Sequence, residues 1–284
     1  MAQVGAPGVF VLVAQPANVN IGLVVGGEAC VLIDSGSSPA QGRELRARVA
    51  HVTDRPLTHV VVTHAHWDHL DGLAAFDDLI TIGHESLRLE GEHPNARIEE
   101  LVLPNSPMAL IRGIDLGGRW VELTHLGKAH TEGDLIVKVG PLSSPSASEP
   151  PTRLSGRRPV LIFTGDLVEQ GADPQLDPAG SVRNWPTVLD AVVGAADDAT
   201  IFIPGHGDPL NRQGVASQRG DLASTWGLAE SLAQTGRLDQ ALRDLDAGQG
   251  DWPFSVDTMR VWLPLLATEL DAAGVRAQRR LPLI

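Results

Sequence analysis

Short apolar runs rich in β-branched residues recur along the chain, and their spacing sets the expected elements. Val9 to Ala14, Asn18 to Val25 and Ala29 to Asp34 come first, the last two separated by Gly26-Gly27-Glu28, a plausible hairpin turn. After Asp34-Ser-Gly-Ser-Ser breaks the pattern, Ala40 to Val52 alternates apolar and basic residues at helical spacing. Leu57 to Val62 and Leu79 to Gly83 predict strands, with short helices over Leu70 to Phe76 and Glu85 to Glu90. Residues 91–108 carry three prolines and predict loop. Trp120 to His125, Asp134 to Val139, Val160 to Thr164 and Thr200 to Ile203 predict further strands. Asn184-Trp-Pro opens an expected helix to Ala196, with proline early where its missing N–H costs nothing. From 218 onward the period is helical, over 218–234, 237–246 and 255–272. Strands interleaved with helices, then a helical tail, predict a layered α/β fold with helices outside packed sheets.

Residues 141–158 are rich in proline and serine. Strand patterns resume on either side, so the stretch reads as a surface insertion rather than a linker. The expectation is one domain over 1–284: a core of about 9–210, the insertion, and a C-terminal helical extension over about 218–284. Hydrophobic content of 43% in 284 residues suffices for a full core. The formal charge is 22 − 35 = −13, which disfavours nucleic acid as a partner. The single cysteine, Cys30, allows no internal disulfide and reads as a buried thiol. No apolar run approaches the ~18–20 residues needed to span a bilayer, and the first residues lack a basic-then-apolar leader. A cytoplasmic protein with no membrane partner is the expectation.

The chemistry concentrates in Thr63-His64-Ala65-His66-Trp67-Asp68-His69, four candidate metal ligands in six residues directly after a predicted strand. In extended chain, i and i+2 share a face, so His64 and His66 can address one ion. A turn there lets Asp68 and His69 face a second point. Imidazole and carboxylate suit zinc, and also iron or manganese. Three later positions follow one grammar, a short apolar strand, a small residue, then His or Asp: His130, Asp166 and His206. Seven donors exceed the three protein ligands of a catalytic zinc but fit two ions. The natural division is His64, His66 and His130 on one, Asp68, His69 and His206 on the other, with Asp166 bridging.

This constellation, with the early Leu32-Ile-Asp-Ser-Gly36, resembles the metallo-β-lactamase superfamily over about residues 9–210. The resemblance implies a four-layer αββα sandwich with two zinc ions at one edge. Ala129 to Asp134 is similar to a segment of subclass B3-like enzymes. Thr164-Gly-Asp166 departs from true β-lactamases and is closer to glyoxalase II-like or lactonase-like hydrolases. The absence of tyrosine from the chain tells against the lactonases, whose site uses one.

The implied function is a dinuclear metal-dependent hydrolase. A metal-bound hydroxide, oriented by Asp68, attacks an ester, lactone, thioester or lactam carbonyl of a small molecule. The alternatives are a mononuclear iron persulfide dioxygenase on the same fold, or weak β-lactamase activity. Residues 10–20, 91–108, 167–184 and the helical tail are expected to shape the pocket; Trp67 or Trp185 is a candidate for an apolar floor, with core packing as the competing reading, and Arg183 reads first as a solvated arginine and second as an anchor for a substrate carboxylate. Asp34 and Thr131 are candidates to orient ligand imidazoles by hydrogen bond, and His84 is the best of the other histidines for such a role.

Overall fold

The protein is described from a computed structural model covering residues 1–88, 101–142 and 159–275. The proline- and serine-rich stretch therefore lies almost wholly outside the described residues, as does the first part of the 91–108 loop and the end of the chain.

The strands are β1 (Ala2–Gln3), β2 (Val9–Ala14), β3 (Val19–Val25), β4 (Cys30–Ile33), β5 (Leu57–Val61), β6 (Ile80–Ile82), β7 (Ile111–Asp115), β8 (Trp120–His125), β9 (Leu135–Val139), β10 (Leu161–Glu169) and β11 (Ile201–His206). The helices are α1 (Pro39–Val52), α2 (Trp67–Leu70), α3 (Trp185–Gly194), α4 (Arg212–Gln234), α5 (Leu238–Asp246) and α6 (Val256–Ala272), with 3₁₀ turns at Leu73–Phe76 and Glu85–Arg88. The strands form one mixed sheet in the order β6-β5-β4-β3-β11-β10-β9-β8-β7, with β2 also paired to β3. Its two halves join through a single register pair, His206 with Val19.

Period-two alternation explains the layering. Along β4, Cys30 and Leu32 face the cluster that also holds Leu45 and Val49 of α1, while Val31 and Ile33 face the opposite way. Along β9, Leu135, Val137 and Val139 join Val31 and Ile33, while Ile136 faces α3, α4 and α6. β10 and β11 alternate likewise: Phe163 and Ile203 point inward, Ile162 and Phe202 outward. Three apolar clusters thus separate four layers, helix, sheet, sheet and helix. The sheet curls so that its halves face each other across the middle cluster. Gly22 sits at a close approach of the two halves: a Cβ there would lie 2.4 Å from the Phe163 ring.

The helices begin where the sequence supplies caps. Ser38 accepts from Gln41 N–H with Pro39 next, Asn211 accepts from Gly214 N–H, and Ser255 accepts from Thr258 N–H. The expected helices over 218–234, 237–246 and 255–272 are present, the first beginning earlier, at Arg212. Their inward faces repeat at helical spacing, as in Met259, Leu263, Leu266 and Leu270.

Several expectations needed correction. β7 falls in a stretch that carried no strand signal: only Ile114 of its five residues is buried, and Gly113 at its centre accommodates the Trp120 indole. β10 runs on past Gly165 to Glu169, because Gly165 takes φ +52° and carries the strand through an irregularity. The single helix expected over Leu70 to Phe76 is two short pieces broken at Gly72, whose Cα packs so closely on Ser35 that a Cβ would meet its carbonyl oxygen at 1.9 Å. Among the described residues, no helix is long and apolar enough to cross a membrane.

Candidate metal centre

All seven predicted donors converge. His64 and His66 follow β5, Asp68 and His69 lie on α2, His130 is in the loop between β8 and β9, Asp166 is in β10 and His206 ends β11. Their donor atoms form two groups, His64, His66, His130 and Asp166 in one and Asp68, His69 and His206 in the other, each within 4.8 Å internally. Asp166 touches both. Its Oδ2 is 3.5 Å from His64 Nε2, 3.6 Å from His130 Nε2 and 3.7 Å from His206 Nε2, and its Oδ1 is 3.1 Å from His69 Nε2. Asp68 Oδ2 is 3.2 Å from His206 Nε2 and 3.7 Å from His69 Nε2.

Each imidazole has one nitrogen engaged outside the centre and the other facing in. Nδ1 meets Asp34 Oδ2 at 2.8 Å in His69, the Gln175 carbonyl at 2.7 Å in His130, and the Ala17 carbonyl at 3.1 Å in His206. His64 Nδ1 meets Thr63 Oγ1 at 3.1 Å. His66 is reversed: its Nε2 lies 3.2 Å from Asp177 Oδ2 and its Nδ1 faces inward, 3.0 Å from His130 Nε2. Such outer partners fix tautomer and ring orientation for metal binding. Asp34 is one of them. It sits at φ +64°, accepts from Thr63 N–H at 2.7 Å and Thr63 Oγ1 at 3.0 Å, and holds His69. Thr131 is not: its N–H and hydroxyl donate to Asp134, shaping the His130 loop. Ser35 Oγ secures α2 by donating to the carbonyls of His69 and Leu70.

The buried polar atoms test whether cations fit. His64 Nε2, His69 Nε2 and Asp166 Oδ1 are fully buried with no hydrogen-bond partner, and all three face the centre. Such atoms cost about 1–3 kcal/mol each when left unsatisfied. Facing neutral nitrogens and carboxylates are the donor chemistry of a divalent cation.

Charge is divided unevenly between the groups. Burial, with His69 nearby, holds His64 far below the usual imidazole range, and burial with His66 nearby lowers His130 to about 4. His69 goes the other way: burial opposes its charge, but Asp166, Asp34 and Asp68 raise it well above the usual range. His206 is raised against burial by its hydrogen bond to Asp68. Asp68 falls to about 2 despite burial, through His69 and His206. Asp134 rises to about 7 through burial, against the hydrogen bonds from Thr131.

The centre opens into a cavity of about 830 Å³. The lining is far more acidic than the expected apolar pocket. Among the described lining residues Asp68, Asp166, Glu169, Asp173 and Asp208 are acidic, and none is Lys or Arg. Trp67 lines the cavity, but Trp185 is fully buried behind the site, its ring 5.6 Å from that of His130 and its Nε1 donating to the Leu167 carbonyl at 3.0 Å. Arg183 is exposed outside the cavity, 6.0 Å from the Trp226 ring. His84 stacks on His125 at 4.0 Å and bonds Ser86. From the loops expected at the rim, Ala17, Asn18 and the segment after Glu169 contribute. Cys30 is buried, its thiol pushed up to about 11.

Glu169 is the donor that sequence reasoning missed. It forms a third close group with Asp166 and His206, and burial beside Asp166 raises it to about 10. In a regular strand, residues three apart face opposite ways. Only the irregularity between Gly165 and Glu169 brings it round to the Asp166 side.

Residues 14–211 match the family described as the Metallo-beta-lactamase superfamily. The chain is 24% identical over 203 residues to a metallo-beta-lactamase type 2 from Bacillus cereus, covering 70% of each protein. It is 24% identical over 197 residues to one from Bacillus sp. (strain 170), covering 68% of each. Among solved structures it is similar to a metallo-beta-lactamase from Pontibacter korlensis, with a TM-score of 0.58, 19% identity, and coverage of 76% of this chain and 94% of that one.

Proposed function

The chain belongs to the metallo-β-lactamase superfamily and is a hydrolase of that fold with a His-rich metal-binding site; from that premise we propose that it cleaves an ester, lactone, thioester or lactam bond of a small molecule at a pair of cations. Zinc suits the donors, with iron or manganese as alternatives. In this reading His64, His66 and His130 hold the first ion, Asp68, His69 and His206 hold the second, and Asp166 is shared. One observation carries it: the Asp166 carboxylate lies 3.1–3.7 Å from four imidazole nitrogens drawn from both groups. A second complete group beside the first favours two ions over a single iron.

When bound, such cations supply Lewis acidity and lower the pKa of water from about 15.7 to roughly 7. Asp68 is ionised at neutral pH, is fixed by His206, and lines the cavity, so it orients the attacking water and carries its proton toward the leaving group. Asp34 and the Gln175 and Ala17 carbonyls keep three imidazoles in register. An acidic lining without described Lys or Arg repels polyanions and supports a small, neutral substrate.

The test is a panel of chromogenic esters, lactones, thioesters and β-lactams with metal-loaded protein. At least one class should be turned over, and His66→Ala and Asp68→Ala should each lower kcat/KM by about 100-fold or more. Undiminished turnover in Asp68→Ala would remove the assignment.

A further inference from the structure

Seven donors leave Glu169 without a task, yet its carboxylate lies among the same atoms. One oxygen is within 4.8 Å of a donor atom of Asp166 and of His206. Glu169 is the register partner of His206 across the parallel strands β10 and β11. Its backbone is held from α4: Gln218 Oε1 accepts from Glu169 N–H at 2.9 Å, and Gln218 Nε2 donates to the Leu167 carbonyl at 2.9 Å. Two carboxylates pressed together in a sheltered place repel unless one holds a proton or a positive charge lies between them, and with no described Lys or Arg lining the cavity that part falls to a proton, a protonated imidazole or a bound cation. Independently, Asp166 Oδ1 and His69 Nε2 are buried, lack hydrogen-bond partners, and face each other at 3.1 Å on this side of the centre.

We propose, resting on the dinuclear reading, that Glu169 is a further ligand of the second cation, beside Asp68, His69, His206 and the shared Asp166. The two positions then differ in kind. The first offers three imidazoles and one carboxylate, a set that suits zinc. The second offers two imidazoles and three carboxylates, an oxygen-rich set that also accepts the harder Mn²⁺.

Equilibrium dialysis of the full chain against graded Zn²⁺ or Mn²⁺, with bound metal measured directly, tests this without reference to turnover. The wild-type chain should take two equivalents. Glu169→Gln should keep the first with unchanged affinity and bind the second at least tenfold more weakly, with a larger loss for Mn²⁺ than for Zn²⁺. Glu169→Asp, which keeps the charge but draws it back by one methylene, should fall between them. Two equivalents bound by Glu169→Gln at wild-type affinity would overturn the proposal. Equal weakening of both equivalents would also overturn it, since that marks a support of the whole site. A wild-type chain that never takes more than one equivalent would instead remove the dinuclear reading beneath it.

Discussion

The five imidazoles at the centre are chemically alike in isolation, and their surroundings make them different. His64 and His130 are buried beside other imidazoles and held neutral, whereas His69 is ringed by Asp34, Asp68 and Asp166, and His206 bonds Asp68. A cation must displace any proton on the nitrogen it binds. At pH 7 the group containing His64 and His130 has both of those nitrogens already free of protons. The second group carries a proton on His69, which is raised well above the usual range in the metal-free protein, and His206 holds its proton more tightly than an ordinary imidazole. The affinity of the second equivalent should therefore fall as pH drops below those raised values and level off above them. Calorimetry at pH 7 in buffers of different ionisation enthalpy should show little proton release with the first equivalent and about two to three protons with the second, from His69, Glu169 and in part His206. Equal release in both steps would contradict this division of charge. Asp34 matters here because it supports the charge of His69 and also fixes which nitrogen faces inward.

At the scale of elements, one steric constraint is the contact between the sheet halves at Gly22 inside the middle cluster. Its φ is not in the left-handed region, so the objection to a side chain there is purely steric: a Cβ would lie 2.4 Å from Phe163 Cε1 and 3.1 Å from Ile33 Cδ1, both fully packed. Gly22→Ala should destabilise by about 1–3 kcal/mol, read from the midpoint of denaturant unfolding. An unchanged midpoint would mean that the halves are free to move apart. The same packing explains what the sequence could reveal. Strands buried on both faces, such as β3 and β4, advertise themselves as apolar runs, and the helices of the tail show a clear helical period. The edge strand β7 buries one side chain in five, so its pattern carries no signal. All seven predicted donors stand at legible punctuation: four in the short motif directly after β5, and His130, Asp166 and His206 each after a strand and a small residue. Glu169 is hidden because its placement depends on the backbone irregularity at Gly165, and a period-two reading sends it to the wrong face. Sequence alone leaves Trp185 open between the pocket, suggested by its nearness to Asp166, and core packing, and α3 decides for the latter by turning its indole into the outer core.

Over the whole molecule, the centre spans the seam. His64, His66, Asp68 and His69 belong to the first half of the sheet, and His130, Asp166 and His206 to the second. Ladder pairing between the halves is limited to His206 with Val19, and a few further backbone bonds cross between them, from Leu135 N–H to the Thr63 carbonyl and from Gly27 and Glu28 N–H to the Gly117 and Leu116 carbonyls, so the middle apolar cluster and the ligand set carry most of the join. Cations bound at that seam bind the folded chain far better than the unfolded one, where the donors are scattered over more than 140 positions of sequence. Stability then rises by mass action, by about 2.7 kcal/mol at a free-metal concentration of 100 Kd, reduced by any affinity of the unfolded His and Asp residues. The chain also carries a formal charge of −13, so removing cations from an acidic centre adds self-repulsion. With roughly 2–4 °C per kcal/mol for a chain of about 150–250 residues, and somewhat less for one of this length, chelation should lower Tm by several degrees, and returning Zn²⁺ should restore it. His130→Ala removes a ligand from one side of the seam only, and it should shrink the metal-dependent shift in Tm. A Tm indifferent to chelator in the wild-type chain would show that the ions contribute nothing to joining the halves, leaving the apolar cluster and the few backbone bonds across the seam to do so.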